Sequence, residues 1–522
     1  MTRSVPSNTN ASRQGPAFNL DAGRRIDSVG FRIPAVATMI AAAFLSSAAT
    51  ACARWNDLRI ARPGRVGPGT STSPGQPWVA PPGIVSKPPA DISPASLPPS
   101  YVPGSPITLA EIVDIALANN PSTRIAWLQA RAAEADLGSS RADYLPELDL
   151  DAEVGHARSG GGGRTVVTQM TYGPSLSLSY LLFDFGGRSA RSEQARQTLI
   201  AADFEHNAII QNVVLAAQRA FYQYVEGKAL LAAQEATLKE LQTNLDSANA
   251  RHEAGVATIA DVLQARTALS QARLNFETID GSLRTIEGQL ATAMGLSPVT
   301  RFDVGTLPLE VPSTEVNEAI EELLARAQEN RPDLASARAL AARASQRVTE
   351  VRAQGLPKIS VATSMGKTYF GSGSSTSPFS TSLLFGWPIF TGFRNTYDIR
   401  AAERGAEAAA EQVHAVRDQV NLQVWSSYYS LQTAAQRMTT ARDLLASATQ
   451  SAEVAAGRYR EGVGSILDLL TAEAALQSAR AQEVQSRTDW FLSVAQLAHD
   501  TGQLYGSASP APGSTTGLKG LQ

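Results

Sequence analysis

The chain of 522 residues is poor in the groups on which most site chemistry depends. It has one cysteine, Cys52, which excludes an intrachain disulfide framework and any site built on clustered thiolates. Its five histidines, His156, His206, His252, His414 and His499, are scattered, with no HExxH or HxH grouping. That spacing argues against a metalloenzyme or a nucleophile–histidine enzyme. Neither sign of charge dominates: 45 Lys plus Arg face 48 Asp plus Glu, and a net charge of -3 gives no basic field for nucleic acid. The charged fraction of 18% and hydrophobic fraction of 43% are those of a folded chain, and the length allows roughly two to four domains.

The start of the chain reads as an export signal. Arg24, Arg25 and Arg32 precede the apolar stretch Ile33 to Leu45, and small residues follow to Ala51. At about 19 residues the stretch is also long enough to span a bilayer, so an uncleaved anchor is the alternative. Ala49-Thr50-Ala51-Cys52 looks like a bacterial lipobox with alanine where leucine is usual, which makes Cys52 the lipid-attachment candidate. The alternative is ordinary signal cleavage without acylation. Residues 52–106 then turn rich in Pro, Gly and Ser, with Pro81-Pro82, Pro88-Pro89 and Pro98-Pro99, and read as a tether. Beyond it no apolar run approaches a transmembrane helix, so a membrane crossing by the mature chain requires β-strands.

The rest is two copies of one plan, each about 200 residues long. Asn119-Asn120-Pro121 returns as Asn330-Arg331-Pro332, and Leu145-Pro146 as Leu356-Pro357. The run from Gly255 to Leu263 returns from Gly462 to Leu470. The expected boundaries are a first repeat at 107–300 with a hairpin near 146–185, a linker at 301–317, a second repeat at 318–504 with a hairpin near 357–391, and a disordered tail at 505–522.

Within each copy the hydrophobic period switches. Thr108 with Glu111 forms a capping box for a helix over 108–119, and a second helix over 122–144 stops at Pro146. Then Leu148, Leu150, Ala152 and Val154 alternate with Glu147, Asp149, Asp151 and Glu153, a period of two and hence a strand. Leu176, Leu178, Tyr180 and Leu182 alternate with serines on the return. Copy two repeats this with Ile359 and Val361, then Phe379, Thr381, Leu383, Phe385 and Trp387. Each hairpin has one apolar and one polar face, and nothing else in the chain has sheet character, so a soluble sandwich lacks its second sheet. An apolar outside with a polar inside suits a membrane barrel. Four strands are too few to close one, so several chains must contribute. Phe183, Phe185, Trp387 and Phe390 fall at strand ends, where an interfacial aromatic belt lies; ordinary core packing is the alternative for each.

After each hairpin, helical periodicity runs without proline to Gly255 and to Gly462, with Leu231, Leu238, Leu241, Leu245 and Ala248 spaced as a coiled-coil seam. Nearly 70 residues at about 1.5 Å each give rods of roughly 100 Å. Return helices are expected over 258–294 and 465–501. No convergent catalytic constellation appears: the four carboxylates of the first strand share one face without a nearby histidine or phosphate loop, so neither an enzyme nor a cofactor or metal site is expected.

In combination these features resemble the TolC family of outer-membrane efflux proteins, and in organisation its lipid-anchored drug and metal efflux branch. The resemblance spans 108 to about 504. It implies a mainly α fold with a small β part: duplicated antiparallel helix pairs forming an α-barrel, and two hairpins per chain joining a trimeric twelve-stranded transmembrane β-barrel. It implies a homotrimer in outer-membrane lipid, lipid-anchored, with its tunnel extending into the periplasm. There it passes substrates from an inner-membrane pump through a periplasmic adaptor protein to the exterior, without catalysis. It also implies a periplasmic gate, to which Asp261, Tyr459 and Asp468 correspond, with stabilisation of a helix N-terminus after a Gly turn as the alternative for each carboxylate, and adaptor-contact turns at Gly255, Val256 and Ile259 and at Gly462, Val463 and Ile466. Two positions depart from the pattern: Gly464 stands where some members have an arginine that pairs with the gate carboxylate, and Thr471 replaces a second ring carboxylate. A periplasmic coiled-coil adaptor or scaffold is the rival reading; it shares the long helices and not the two symmetric hairpins.

Overall fold

The computed structural model describes Leu97 and residues 105–159, 167–305 and 319–504. The leader at 1–51, Cys52, nearly all of the tether, most of the linker and the tail lie outside these residues. Contacts divide the chain at Ser93, and every described residue belongs to the unit that begins at Pro94.

Copy one runs β1 (Pro106–Ile107), α1 (Leu109–Asn119), α2 (Pro121–Ala142), β2 (Glu147–Ser159), β3 (Val167–Phe183), α3 (Gly187–Glu253) and α4 (Ile259–Ala293), then β4 (Asp303–Val304). Copy two runs α5 (Ile320–Asn330), α6 (Pro332–Gln354), β5 (Lys358–Gly366), β6 (Thr368–Phe370), β7 (Ser375–Thr376), β8 (Phe379–Gly386), α7 (Arg394–Arg460) and α8 (Ile466–Asp500). The duplication is metric as well as topological: α3 and α7 each have 67 residues, and α4 and α8 each have 35. At 1.5 Å per residue the longer pair are rods of about 100 Å.

Local chemistry sets the helix starts. The α1 capping box is formed, with the Glu111 carboxylate accepting from the Thr108 backbone N–H at 2.8 Å. Pro121 opens α2 at a position where its missing N–H costs nothing, and the Asn120 side chain accepts from Ser122 N at 2.9 Å.

The two hairpins join into one sheet. β3 pairs antiparallel with β2 on one side and with β5 and β6 on the other, and β5 pairs with β8. This leaves β2 as the outer strand on one side and β8, with the short β7 beside β6, on the other. The second hairpin is less regular than the alternation suggested. It breaks at Lys367, whose N–H bonds to the Pro174 carbonyl, and Trp387 falls just past the end of β8. Gly173 is required there: a Cβ on it would come within 1.8 Å of the Lys367 carbonyl oxygen. One expectation needs correction. Sheet structure is not confined to the hairpins, because β1 and β4 pair in parallel and tie the entry of copy one to its exit. Two-residue strands carry no periodicity, so the sequence does not announce them.

Both strand-to-helix switches use two consecutive left-handed residues, Phe185 and Gly186 before α3, Gly392 and Phe393 before α7. Each switch thus holds one phenylalanine at positive φ, a conformation strained for a bulky side chain, and both rings are exposed.

Below the sheet the helices form a layered body. Within each hairpin the seam is apolar: Leu241, Leu245 and Ala248 of α3 meet Val262, Ala265 and Leu269 of α4. Ala448 and Ala452 of α7 likewise meet Ala472, Leu476 and Ala479 of α8. The short helix α1 packs on α3, and α5 on α7, each over a buried core. The copies meet where α6 lies between α3 and α7 and where α8 lies beside α3. By contrast α2, the counterpart of α6, rests mainly on α3 and leaves Ile125, Trp127 and Leu128 exposed.

Candidate functional site

Two regions carry the functional candidates: the helical tip and the sheet. Each tip turn is built from a C-cap and an N-cap only a few residues apart. Gly255 adopts φ 75°, its N–H bonds to the His252 carbonyl at 2.9 Å, and the Val256 N–H bonds to the Arg251 carbonyl at 2.9 Å. Gly462 at φ 78° repeats this with Tyr459 and Arg458. This is the Schellman arrangement, which needs a left-handed residue and so favours glycine. The chain then enters the return helix through a capping box. The Asp261 carboxylate accepts from Thr258 N at 2.9 Å, and the Asp468 carboxylate from Ser465 N at 3.4 Å. Both expected gate carboxylates therefore stabilise a helix N-terminus within the chain, where negative charge is favoured.

Tyr459 is buried against Ile466 and Leu469. Its hydroxyl has no hydrogen-bond partner, so the structure does not bring it and Asp261 into a direct bond. Burial pushes the phenol pKa up and the Asp261 charge adds to that, while Arg251 acts the other way. Arg251 is the residue that sequence reasoning passed over. From the last turn of α3 its Nη1 donates to the Tyr459 carbonyl at 2.8 Å, with the Arg460 carbonyl at 3.5 Å, and its guanidinium lies 4.9 Å over the Tyr459 ring. It thereby caps the C-terminus of α7 from the other copy, a favourable place for a cation, and stacks on an aromatic face. A signal existed: Arg251 stands four residues before Gly255, as Arg458 stands four before Gly462. Gly464 packs closely on α7, where a Cβ would lie 3.0 Å from the Arg458 Cβ and 3.1 Å from the Tyr459 nitrogen.

The two turns differ in what they expose. Val256 and Val463 stand out into solvent in both. Ile259 is 57% exposed whereas its counterpart Ile466 is 3% exposed, because Tyr459 and Leu469 cover it. Ile466 is thus part of the core beneath its turn, and Leu467 takes the exposed apolar place.

Above the tip, the α3–α8 seam between the copies has a polar stretch, and farther up Tyr222 of α3 stacks on Phe491 of α8 at 5.3 Å. Gln477 donates to Gln234 at 2.8 Å, and Arg480 makes a two-pronged contact with Glu240 at 2.9 Å on each arm. Burial, with Glu240 alongside, pushes the Glu473 pKa up. Higher on the seam burial, with help from Asp489, pushes Glu226 to about 7. Asp489 itself pairs with Arg437 at 3.4 Å. Among the described residues no group of three or more His, Cys, Asp or Glu could hold a metal ion.

In the sheet, register sorts the residues by face. Glu147, Asp149 and Asp151 lie opposite Ser179, Ser177 and Ser175, and Ser177 lies opposite Ser364, which meets Ser380. On the other face Leu148, Leu150 and Val154 align with Leu178, Leu176 and Tyr172; Leu176 continues to Met365 and Phe379, and Tyr180 on the same face to Val361 and Leu383. This apolar face is exposed: Leu150 is 76% and Leu383 68% accessible. Phe183, Phe185, Trp387 and Phe390 are exposed at the end of the sheet nearest the helices, so none of them is core packing within the chain. No helix among the described residues is long and apolar enough to cross a membrane.

A family model described as outer membrane efflux protein matches residues 112–296 and 323–503. Protein CyaE of Bordetella pertussis is 28% identical over 390 residues, covering 72% of this chain and 80% of that protein. The toluene efflux pump outer membrane protein TtgC of Pseudomonas putida is 24% identical over 410 residues, covering 74% and 81%. Among solved structures, the outer-membrane channel OprN superposes with a TM-score of 0.70 at 19% identity, covering 76% of this chain and 90% of OprN.

Proposed function

The chain belongs to the outer membrane efflux protein family, and from that membership we infer that it is the outer-membrane channel of a tripartite efflux system, conducting substrates passively toward the exterior. The observation that carries the reading is the sheet. It presents a largely apolar exposed face, interrupted by Thr363 and Thr381, a carboxylate- and serine-lined opposite face, and two outer edges, which is one sector of a barrel with lipid outside and water inside. A periplasmic adaptor or scaffold has no use for such a sheet.

Assembly as a homotrimer is supported by the internal duplication. Each contact between copy one and copy two inside the chain has an unfilled counterpart outside it. β3 pairs with β5, whereas β8 and β2 end free; α6 is covered on both sides, whereas α2 is bare on one; α8 packs beside α3, whereas α7 presents Leu422, Trp425 and Tyr429 to solvent. Joining β8 of one subunit to β2 of the next, α7 to α2 and α7 to α4, fills all three counterparts by one repeated rotation. Three subunits of four strands each close a twelve-stranded barrel.

The tip is then the periplasmic gate and the docking end. Arg251 ties α3 to the end of α7, Tyr459 supplies the ring on which it rests, and Asp261 and Asp468 fix the two turns and place carboxylates at the constriction. Val256, Ile259, Val463 and Leu467 offer exposed apolar contacts to a periplasmic adaptor, which links the channel to its inner-membrane pump. Acylation of Cys52 would add a lipid anchor on the same membrane, and replacing Cys52 with serine while following release into the soluble fraction tests it.

The deciding experiment is conductance of the purified protein in planar bilayers, with wild type compared with Asp261→Ala combined with Tyr459→Ala. A small cation-selective conductance that grows in the double variant supports both duct and gate. Larger wild-type openings insensitive to the variant retain the duct and remove the gate assignment. Failure to insert, from a protein that folds without detergent, would falsify the channel.

A further inference from the structure

Arg251 and Arg458 hold the same place in the two copies, yet their circumstances differ. Arg251 reaches across to the last carbonyls of α7. Among the described residues the Arg458 guanidinium makes no hydrogen bond or ion pair, although it lines an open groove of about 780 Å³ with Ser451, Leu467, Thr471, Ala475 and Asp468, whose carboxylate is engaged by Ser465 N. The counterpart of that groove in copy one is covered: there Leu470 of α8 packs against the α3–α4 seam. The residue matching Leu470 is Leu263, which is half exposed on α4. The groove, the exposed arginine and the bare leucine are one junction seen from its two unjoined sides.

Resting on the trimer reading, we propose that Arg458 is a second gate tie, made between subunits: it caps the carbonyls of His252 and Glu253 at the end of α3 in the neighbouring subunit. The acceptors are suitable. The His252 carbonyl accepts from Gly255 N at 2.9 Å and shares the Ala254 N–H, just as the Tyr459 carbonyl accepts from Gly462 N at 3.1 Å and shares the Glu461 N–H, and there Arg251 still adds its own bond. A carbonyl oxygen has two lone pairs for this purpose. The His252 ring, whose Nδ1 lies 3.0 Å from the Ala257 carbonyl, stands where Tyr459 stands and offers a flat face to the guanidinium. Charge favours the junction between subunits. Inside the chain Arg251 approaches a helix end that carries Arg458 and Arg460 with Glu461 at the cap, a net positive set, whereas Arg458 would approach one where Glu253 offsets Arg251 beside His252. The gate is then held by three ties within subunits and three between them. The second set takes over where Gly464 leaves no side chain to reach across.

Two readouts on the full-length protein in detergent separate this proposal from the channel reading. The temperature at which the trimer dissociates on denaturing gels reports ties between subunits, and bilayer conductance reports gating. Arg458→Gln is expected to lower the dissociation temperature and to raise the open population by at least about tenfold, the scale of one charge-assisted bond, since each trimer loses three. Arg251→Gln is expected to raise the open population alone, and Arg458→Lys, which keeps a cationic donor, to fall between Gln and wild type. If Arg458→Gln matches wild type in both readouts while Arg251→Gln opens the channel, the tie between subunits is wrong and the gate stands. If the wild type neither forms a trimer nor conducts, the channel reading fails first and takes this proposal with it.

Discussion

At the scale of single residues, the tip separates groups that resemblance had joined. Tyr459 acts through its ring and its carbonyl, because its hydroxyl is buried without a partner. Removing an unpaired hydroxyl costs little, since no bond is lost with it. Tyr459→Phe is therefore expected to leave bilayer conductance within about twofold of wild type, whereas Tyr459→Ala, which removes the seat of Arg251 and uncovers Ile466, is expected to open the gate. Both outcomes are read in the same bilayer assay. The sequence was informative here wherever the chemistry is local. Thr108 with Glu111, Thr258 with Asp261 and Ser465 with Asp468 are boxes written within four residues, and the structure forms all three. It was silent on Arg251, whose acceptor lies 208 positions along the chain. No local pattern encodes such a pairing.

At the scale of elements, the sheet makes the sharper prediction. Leu150 faces out and Asp149 faces the serines of β3, so neighbouring residues on one strand answer differently to the same substitution. Leu150→Arg places a charge on the lipid side, at a cost of about 2–4 kcal/mol near the membrane midplane, and is expected to reduce membrane-inserted trimer on heat-modifiability gels. Asp149→Arg is expected to assemble normally and to shift ion selectivity toward anions in reversal-potential measurements. The helical seams supply a pH dependence. Glu226 is pushed up to about 7, chiefly by burial, from an ordinary value of 4.5. Between those values the unfolded chain gives up the proton while the folded chain keeps it, so stability falls as pH rises through that window and levels off above it. Glu226→Gln is expected to shrink the difference in unfolding temperature between about pH 5 and about pH 8. Alternation and heptad spacing made strands and long helices legible, and the bounds found for α3, α4, α7 and α8 lie within a residue or two of those read from spacing. The polar stretch of the α3–α8 seam was not legible. Glu240 and Glu473 look like solvated surface residues until the second copy is folded against the first.

At the scale of the whole molecule, duplication is the governing fact, and it was visible in the sequence as two Gly turns of the same pattern. What the turns could not show is which faces the copies use against each other, because that is settled by packing between segments far apart in the chain. With those faces known, the free ones follow. Leu263→Glu is expected to leave α4 folded, since the side chain is exposed, yet to shift the protein from trimer to monomer by light scattering in detergent. The two outer edges of the sheet also bear on biogenesis. A lone subunit in water would carry β2 and β8 as open templates beside an uncovered apolar face, the combination from which aggregates grow. The helical hairpins, by contrast, gather their partners from nearby in the chain and can form early. The productive order is then rods first and strands last, with the sheet completed only as neighbouring subunits and lipid arrive together, so that this protein reaches its native state at its destination rather than on the way there.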